Sequence, residues 1–332
     1  MKILVTGGLG FIGSHTTIEL INNGHEVVIV DNLVNSKIEV LDRIEKITKV
    51  RPKFYKINLT ILEDVRKIFD ENEFDSIIHF AGLKAVGESI EKPVDYYDNN
   101  LGSTLNLLRC MKEKNIFNMV FSSSACVYGE PKENPIDETF SSNNATNPYG
   151  RTKIFIEEIL NDVYISDNRY NFTILRYFNP VGAHSSGLIG EDPNGIPNNL
   201  MPYILKVAKG ERDKLNIFGN DYNTEDGTCI RDFIHVVDLA IGHVKAIENV
   251  KNAGVHIYNL GTGKGTSVLE LVKTFNKVNG DLVKFEFVDK RAGDVPVNYA
   301  KADKAKAELD WVATKTIEDM CKDAWNFAKN KK

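Results

Sequence analysis

Short apolar runs alternate with helical apolar spacing along the first part of the chain. Residues 3–5 form an apolar run that ends in glycines, which predicts a buried strand. From residue 11 to residue 23 the apolar spacing is helical, and Gly24 predicts the end of that helix. Residues 27–30 predict a second buried strand, which closes on Asp31. Together these elements predict one strand–helix–strand unit of roughly 30 residues.

The same alternation continues to about residue 178. The predicted strands cover residues 54–57, 75–80, 119–121 and 173–176, and the predicted helices cover residues 96–114 and 154–163. Strands that alternate with helices predict a doubly wound parallel sheet of the Rossmann type. Right-handed crossovers place the carboxyl ends of parallel strands at one edge of the sheet, where ligands bind.

The amino-acid composition of the chain changes after Phe178. Residues 179–202 contain four prolines and four glycines, and such a long irregular stretch is typical of a binding loop. We therefore predict a first domain over residues 1–180. A smaller C-terminal α/β domain is predicted over residues 181–332, from which some segments return to the first.

Composition and charge exclude several classes of protein. The chain has 332 residues, of which 42% are hydrophobic, and this argues against a disordered chain. Its net charge of −5 gives no electrostatic reason to expect nucleic-acid binding. The four cysteines lie far apart in sequence, so we expect no metal site and no disulfide framework. Because no run of eighteen apolar residues occurs and the apolar start is too short for a signal peptide, we expect a cytoplasmic location without a membrane span.

The glycines at residues 7, 8, 10 and 13 follow the first predicted strand and open the first predicted helix. Their spacing satisfies G-x-G-x-x-G, in which the backbone approaches a pyrophosphate and the helix N-terminus offers free N–H donors. Asp31 ends the second strand about 20 residues later, where a carboxylate binds a ribose 2′-hydroxyl and repels a 2′-phosphate. This arrangement predicts NAD rather than NADP. The alternative interpretation is a glycine turn before a packed helix.

A tyrosine and a lysine four residues apart are the candidate proton-transfer groups. Tyr149 and Lys153 lie on one face of a predicted helix, and Ser124 ends a predicted strand. A free tyrosine has a pKa of about 10, which a nearby ammonium and the positive end of a nicotinamide would lower. The pair then serves as general base and afterwards as acid. The alternative is an aromatic core residue beside a surface lysine.

These motifs resemble the extended short-chain dehydrogenases/reductases, and within them the UDP-glucose 4-epimerase family. The resemblance rests on TGGLGFIGS at residues 6–14, HFAGLKAVGES at residues 79–89, LRYFNPVGAH at residues 175–184 and RDFIHV at residues 231–236. Residues 31–33, 190–193, 197–202 and 217–222 add to it, and the blocks span nearly the whole chain. The resemblance implies an NAD-binding first domain and a UDP-sugar-binding second domain.

The resemblance also implies a mechanism. Tyr149 takes the proton of the sugar 4-hydroxyl while hydride passes from C4 to bound NAD, and Ser124 hydrogen-bonds the 4-oxygen. Lys153 holds the nicotinamide ribose and tunes Tyr149. The resulting 4-keto sugar turns over while the UDP group stays anchored, and hydride returns to the opposite face. Retention of the ketone demands a closed site.

The catalytic prediction comprises Tyr149, Lys153 and Ser124. The predicted NAD-binding residues are Gly7, Gly10, Phe11, Ile12, Gly13, Asp31, Asn32, Asn58, Phe80, Ala81, Lys84, Asn99, Ser122, Tyr149, Lys153, Tyr177 and Phe178. The predicted substrate-binding residues are Ser124, Tyr149, Asn179, Asn199, Leu200, Phe218, Arg231, Arg291, Asp294 and Asn298.

Several individual roles follow from the resemblance. Arg231 and Arg291 would clamp the diphosphate, for which paired guanidinium donors are suited. Phe218 would lie at the uracil and Asp294 at the uridine ribose. Lys84 would meet the NAD pyrophosphate.

Three positions depart from the pattern of the family. Asn58 replaces an Asp near the adenine and keeps an acceptor, so NAD binding should survive. Cys126 replaces a more usual Thr and is interpreted as a packing residue. Asn298 stands at the hexose gate, where Tyr would exclude an N-acetyl group. We therefore expect UDP-GlcNAc and UDP-GalNAc to be accepted as well, whereas an alignment through Tyr299 reverses this expectation.

Two other functions remain as alternatives. A nucleotide-sugar 4,6-dehydratase would carry an Asp-Glu pair after the strand-end Ser, but Ala125 and Cys126 stand there. A non-catalytic NAD-sensing protein would keep the glycines and tends to lose the Tyr and the Lys. The predicted helices at residues 96–114 and 149–163 carry apolar residues on more than one face. In the family such helices pair as a four-helix bundle, so a homodimer is expected, unless both faces are buried within one chain.

Overall fold

The structure is a computed structural model that describes residues 1–194, 197, 199–291 and 294–331. Its first elements are β1 (Lys2–Thr6), α1 (Phe11–Asn22), β2 (Glu26–Asp31), α2 (Glu39–Thr48), β3 (Lys53–Lys56), α3 (Leu62–Glu71), β4 (Ser76–His79), α4 (Val86–Glu91), α5 (Pro93–Lys114), β5 (Asn118–Ser124), α6 (Pro148–Ser166) and β6 (Asn171–Tyr177). A 3-10 turn, Ala125–Tyr128, follows β5.

The remaining elements lie beyond residue 178. They are β7 (Asn179–Val181), α7 (Leu200–Ala208), β8 (Leu215–Phe218), β9 (Ile230–Arg231), β10 (Phe233–His235), α8 (Val236–Asn249), β11 (Gly254–Leu260), β12 (Thr266–Ser267), α9 (Val268–Asn279), β13 (Phe285–Val288), β14 (Val297–Asn298), α10 (Asp303–Leu309) and α11 (Ile317–Asn330).

Seven parallel strands form the main sheet in the order β11-β6-β5-β4-β1-β2-β3. Alternate residues of each strand belong to two separate cores, as Ile3 and Leu4 illustrate. Helices α1, α2 and α8 cover one face of the sheet, and α3, α5 and α6 cover the other. The predicted doubly wound parallel sheet is therefore confirmed.

A third core lies in the C-terminal part of the chain. It joins α7, α9 and α11 to the short strands β8 and β10, with Ile204, Phe233 and Phe275 among its fully or nearly fully buried side chains. Strand β11 does not belong to this core, because it pairs with β6 at the edge of the main sheet. One segment from beyond residue 180 thus completes the main sheet, and the division of the chain near residue 180 stays a prediction.

Among the described helices, none combines the length and the apolar character that a bilayer crossing requires. The stretch that was predicted to be irregular, residues 179–202, contains the short strand β7 and the first turn of α7. The apolar spacing of α7 is helical, but the prolines that precede the helix indicate an irregular segment, so the start of α7 was not predicted.

Candidate active site

A cavity of about 1140 Å³ opens where the carboxyl ends of the main strands face the third core. Gly7 directly follows β1, and Asp31, Ser124 and Tyr177 are the last residues of β2, β5 and β6. Phe218 and Arg231 contribute from the C-terminal part. Every residue in the predicted catalytic, NAD-binding and substrate-binding sets lines this cavity, whereas Gly8 of the glycine motif does not. Their individual roles stay predictions.

The glycine turn forms a cradle with no space for side chains. Gly7 has a φ of 67°, and a Cβ there would lie 2.9 Å from the Ala81 nitrogen. A Cβ on Gly13 would lie 2.2 Å from the Gly7 carbonyl oxygen. Helix α1 begins directly after Gly10 without a side-chain cap, so its first N–H groups, at Phe11 among others, are free to bind an anion.

Asp31 lies beside this cradle at the end of β2. Its carboxylate accepts the N–H of Leu9 at 3.1 Å, the N–H of Leu33 at 2.9 Å and the hydroxyl of Ser36 at 2.7 Å. These bonds fix a carboxylate at the rim of the cavity. A phosphate cradle next to an ordered acceptor fits the pyrophosphate and ribose of a dinucleotide such as NAD.

Lys153 lies buried beneath the cavity on helix α6. Its ammonium donates a hydrogen bond of 2.6 Å to the Ser122 carbonyl oxygen and lies 5.8 Å from the centre of the Tyr149 ring. Burial lowers the pKa of Lys153 to about 8, and the nearby Glu157 carboxylate raises it in part. Ser124 accepts the N–H of Cys126 at 3.2 Å. The three predicted catalytic residues are thus brought together.

In the chain without a nicotinamide the pKa of Tyr149 is raised, and the lowering predicted for the site with its bound cofactor stays a prediction. Burial is the largest effect and raises the pKa of the phenol, while a hydrogen bond with Ser124 acts in the opposite direction. The Lys153 ammonium, 5.8 Å from the centre of the Tyr149 ring, is itself desolvated and bonded to a carbonyl oxygen. The positive ring of a bound nicotinamide would act against burial and lower the pKa of Tyr149.

The wall between the two halves of the cavity carries contacts that the sequence did not indicate. The Tyr177 hydroxyl is hydrogen-bonded to Nε2 of the buried His243. Lys84, predicted to meet a pyrophosphate, has its ammonium 3.5 Å from a Glu191 carboxylate oxygen. The same oxygen accepts a hydrogen bond of 2.6 Å from the Asn199 amide. Glu191 therefore joins a predicted cofactor residue to a predicted substrate residue.

Two guanidinium groups and one carboxylate converge at the far end of the cavity. Arg291 donates to both oxygens of Asp294, at 3.1 and 2.8 Å, and lies 5.5 Å above the Phe218 ring. One Arg231 nitrogen lies 3.8 Å from Asp294, while another donates to the Val295 carbonyl oxygen at 2.6 Å. Spacing in the sequence does not reveal this cluster, which only the resemblance implied.

Asn298 lies on β14 directly beside Arg231 on the paired strand β9. Asn298 lines the cavity. The ring of Tyr299, in contrast, lies against Gly265, where a Cβ would be 3.4 Å from the ring carbon Cδ1. This arrangement favours the interpretation in which Asn298, and not Tyr299, stands at the hexose gate.

Residues 192–194 are fastened to distant parts of the chain by groups that the sequence analysis missed. Asp192 accepts hydrogen bonds from Lys37 at 2.7 Å and from Lys331 at 2.6 Å. The N–H of Asn194 donates to Asn35 at 3.0 Å. The block at residues 190–193 was noted as part of the resemblance, but long-range partners such as these have no signal in the sequence.

Comparisons with known proteins agree on one family. The model of the NAD dependent epimerase/dehydratase family matches residues 3–261. A Haemophilus influenzae protein named UDP-glucose 4-epimerase is 54% identical over 331 residues, which covers 99% of this chain and 98% of that protein.

Two solved structures extend the comparison. The UDP-glucose 4-epimerase of Bifidobacterium longum in complex with NAD+ and UDP has a TM-score of 0.97 and 51% identity, and the match covers 100% of this chain and 99% of the other. The UDP-Glc/GlcNAc 4-epimerase of Campylobacter jejuni has a TM-score of 0.86 and 36% identity, with 99% of both chains covered.

Proposed function

Because the chain belongs to the NAD-dependent epimerase/dehydratase family, we propose that it is a UDP-glucose 4-epimerase, which interconverts UDP-galactose and UDP-glucose. The observation that carries this conclusion is a single cavity with three kinds of group. It contains a glycine cradle at Gly7 and Gly13, the proton-transfer pair Tyr149 and Lys153, and the Arg231 cluster at its far end.

The protein binds NAD in the half of the cavity next to the main sheet. Bound NAD would supply the chemistry of a reversible hydride acceptor at the sugar C4. The N–H groups that begin α1 hold the pyrophosphate, and Asp31 holds a ribose hydroxyl. The wall of Tyr177 and Phe178 excludes water from the same half. We propose that residues 1–180 supply most of this half and residues 181–332 most of the UDP-sugar half.

Proton transfer at the sugar 4-oxygen is the task of Tyr149, Ser124 and Lys153. The Tyr149 phenol takes the proton of the 4-hydroxyl and later gives it back, so no proton needs to leave the site. The Ser124 hydroxyl hydrogen-bonds the 4-oxygen and fixes its direction. The Lys153 ammonium stabilises the charge on the phenolate, since its pKa of about 8 keeps it mostly protonated at neutral pH.

The far cluster anchors the nucleotide while the hexose turns over. Arg231 and Arg291 carry charge-assisted donors for the diphosphate, and Asp294 holds both guanidinium groups in place. Phe218 offers a flat, partly exposed ring for the uracil. A tightly held UDP group next to a permissive hexose pocket is what an epimerase needs.

We also propose that N-acetylated UDP-hexosamines are substrates. Asn298 is much smaller than Tyr and lies beside Arg231, where the hexose meets the diphosphate anchor. The Campylobacter jejuni relative, which its name describes as a UDP-Glc/GlcNAc 4-epimerase, has this breadth.

A homodimer is the further proposal, with α5 and α6 as its interface. Val94 on α5 and Phe155 on α6 are 67% and 41% exposed, and Leu105 on α5 is 37% exposed. The Phe155 ring stacks on Tyr97 at 5.9 Å, which makes one apolar face from both helices. An exposed apolar face of this kind marks an interaction surface. The location of the protein is proposed to be cytoplasmic, since the four cysteines are free.

The test is a proton NMR spectrum of the purified protein with UDP-galactose and UDP-GalNAc together and no added NAD. The anomeric signals of the four sugars are separate, so one spectrum reports both activities. We expect both gluco products, and a Tyr149→Phe protein that binds the same NAD but forms neither. If wild-type protein forms no product even after NAD is added, the epimerase proposal is wrong and a non-catalytic NAD-binding protein is favoured.

A further inference from the structure

Three consecutive serines end β5, and each makes a different contact. The Ser122 carbonyl oxygen holds the Lys153 ammonium, and the Ser124 hydroxyl faces the Tyr149 phenol. The Ser123 hydroxyl instead donates to a carboxylate oxygen of Glu157 at 2.5 Å. The middle serine thus joins the end of the strand to a group outside the proposed reaction.

Glu157 lies one helical turn beyond Lys153 on α6 and is buried. Besides Ser123 it binds Arg176, whose Nε lies 3.1 Å from one carboxylate oxygen and whose terminal nitrogen lies 2.5 Å from the other. The two side chains are only 8% and 3% exposed. A buried ion pair is tolerated when its remaining polar atoms are also bonded, and here they are.

The network continues into the turn that follows Ser124. Arg176 donates to the Tyr128 hydroxyl at 3.0 Å, and Tyr128 donates to the Asn259 side-chain oxygen at 2.7 Å. Tyr128 belongs to the 3-10 turn that begins directly after Ser124. Arg176 also pairs with Ser123 in the register of β5 and β6. Strand β5, helix α6 and the turn are therefore fastened together behind the proton-transfer groups.

We propose that Ser123 and Glu157 are positioning residues, which fix helix α6 against the end of β5 and thereby hold Lys153 and Tyr149 in place beside Ser124. The inference rests on the proposed function. Helix and strand are fastened at two levels one turn apart, by Lys153 to Ser122 and by Glu157 to Ser123. Loss of the second bond leaves α6 free to shift, and a misplacement of about 1 Å is enough to cost roughly 100-fold in rate.

Ser123→Ala in the full-length holoenzyme is the first test, because it removes one hydrogen bond and leaves the ion pair. We expect kcat for UDP-galactose to fall about 10-fold and KM to stay within about 2-fold, since the nucleotide anchor lies at the far end of the cavity. Ser76→Ala is the matched control. Ser76 is also buried, begins the adjacent strand β4 and makes one hydrogen bond, to the Asn118 carbonyl oxygen at 3.3 Å.

The second test does not depend on turnover. NMR of isotope-labelled lysine follows the titration of Lys153, whose signal is identified with Lys153→Met. The charged or titratable groups near this ammonium are Glu157 on the same helix, Cys126 from the turn, His79 from β4 and Tyr149. Ser123→Ala keeps the Glu157 carboxylate and its Coulomb effect on Lys153, so a change in the Lys153 titration reports a change of position; we expect Ser123→Ala to shift the titration and Ser76→Ala to leave it unchanged.

A purely structural network would give a different result. Ser123→Ala would then lower the unfolding temperature, while its kcat would equal that of the Ser76→Ala protein. This outcome overturns the proposal. If wild-type protein shows no turnover with NAD present, the proposed function fails, and the lysine titration still decides the positioning role. An unchanged Lys153 titration in Ser123→Ala overturns it, and a shifted one supports it.

Discussion

Replacement of Gly13 by Ala tests how closely the cofactor cradle is built. The new Cβ would lie 2.2 Å from the Gly7 carbonyl oxygen and 2.9 Å from the Gly8 Cα. Non-bonded heavy atoms are at their optimum near about 3.5 Å, so either the Gly7 peptide or the start of α1 must move by roughly 1 Å. Such overpacking costs about 1–3 kcal/mol.

The same movement displaces the N–H donors that α1 directs at the pyrophosphate. If the whole cost falls on the cofactor complex, about 1–3 kcal/mol corresponds to a loss of NAD affinity of roughly 5- to 150-fold. The assay is the NAD content of the protein after gel filtration, measured on the denatured supernatant, together with the urea midpoint. Gly102→Ala is the control, because the nearest heavy atom to its Cβ, the Thr60 methyl, is 4.0 Å away. Since Gly102 lies inside α5, the control should gain up to about 1 kcal/mol in stability.

A Gly13→Ala protein that retains a full complement of NAD and the wild-type urea midpoint refutes this reasoning. The close approach of α1 to the glycine turn would then not be required for NAD binding. Loss of NAD in the Gly102→Ala protein as well would show that the assay reports general damage rather than the cradle.

Three further predictions follow from other parts of the molecule. Asn298→Tyr should reduce turnover of UDP-GalNAc more than about 10-fold, because the larger side chain fills the space for the N-acetyl group, and leave UDP-galactose turnover within about 3-fold. Unchanged UDP-GalNAc turnover would contradict the role of residue 298 as the hexose gate. Phe155→Glu should shift the protein from dimer to monomer in sedimentation, since it places a charge in the α5–α6 face, and an unchanged mass excludes that face. Burial lowers the pKa of His15 and His79 to about 3 and of His243 to about 4. As the pH falls from about 6.5 toward 4, the unfolded chain therefore binds more protons than the folded chain. The free energy of unfolding should drop by up to about 1.4 kcal/mol per histidine and pH unit. Equal stability in urea at about pH 7 and pH 5 would contradict this.

Local patterns in the sequence were enough to predict the elements in the first half of the fold. The predicted helix at residues 11–23 is α1 (Phe11–Asn22), and Gly24 adopts a left-handed φ of 79° that ends it. The cradle was equally predictable, because its glycines, strand and helix are neighbours in sequence. Strand β11 was not predicted, since a strand that returns to the sheet after a long excursion has the same apolar pattern as any other.

Long-range partners limited the prediction of the site. Glu157 follows Lys153 by four residues, which in a sequence is typical of an exposed ion pair on a helix. Its burial and its bond to Arg176 arise only when β6 packs against α6. The bonds of Asp192 to Lys37 and Lys331 join residues 155 and 139 positions apart and have no local signal. The convergence of Arg231 and Arg291 on Asp294 came from the resemblance to a family, and not from spacing.

The position of β11 ties the two halves of the chain to each other during folding. Strand β6 is buried along its whole length and pairs with β5 on one side and β11 on the other. A fragment cut near residue 180 would leave β6 as a bare apolar edge, which is a template for aggregation. During synthesis, likewise, the sheet that holds the cofactor cannot be completed before the ribosome has passed residue 260. Strand β11 thus belongs to the main sheet although the third core draws on helices both before it, in α7, and after it, in α9 and α11, so neither core is built from one continuous segment of the chain.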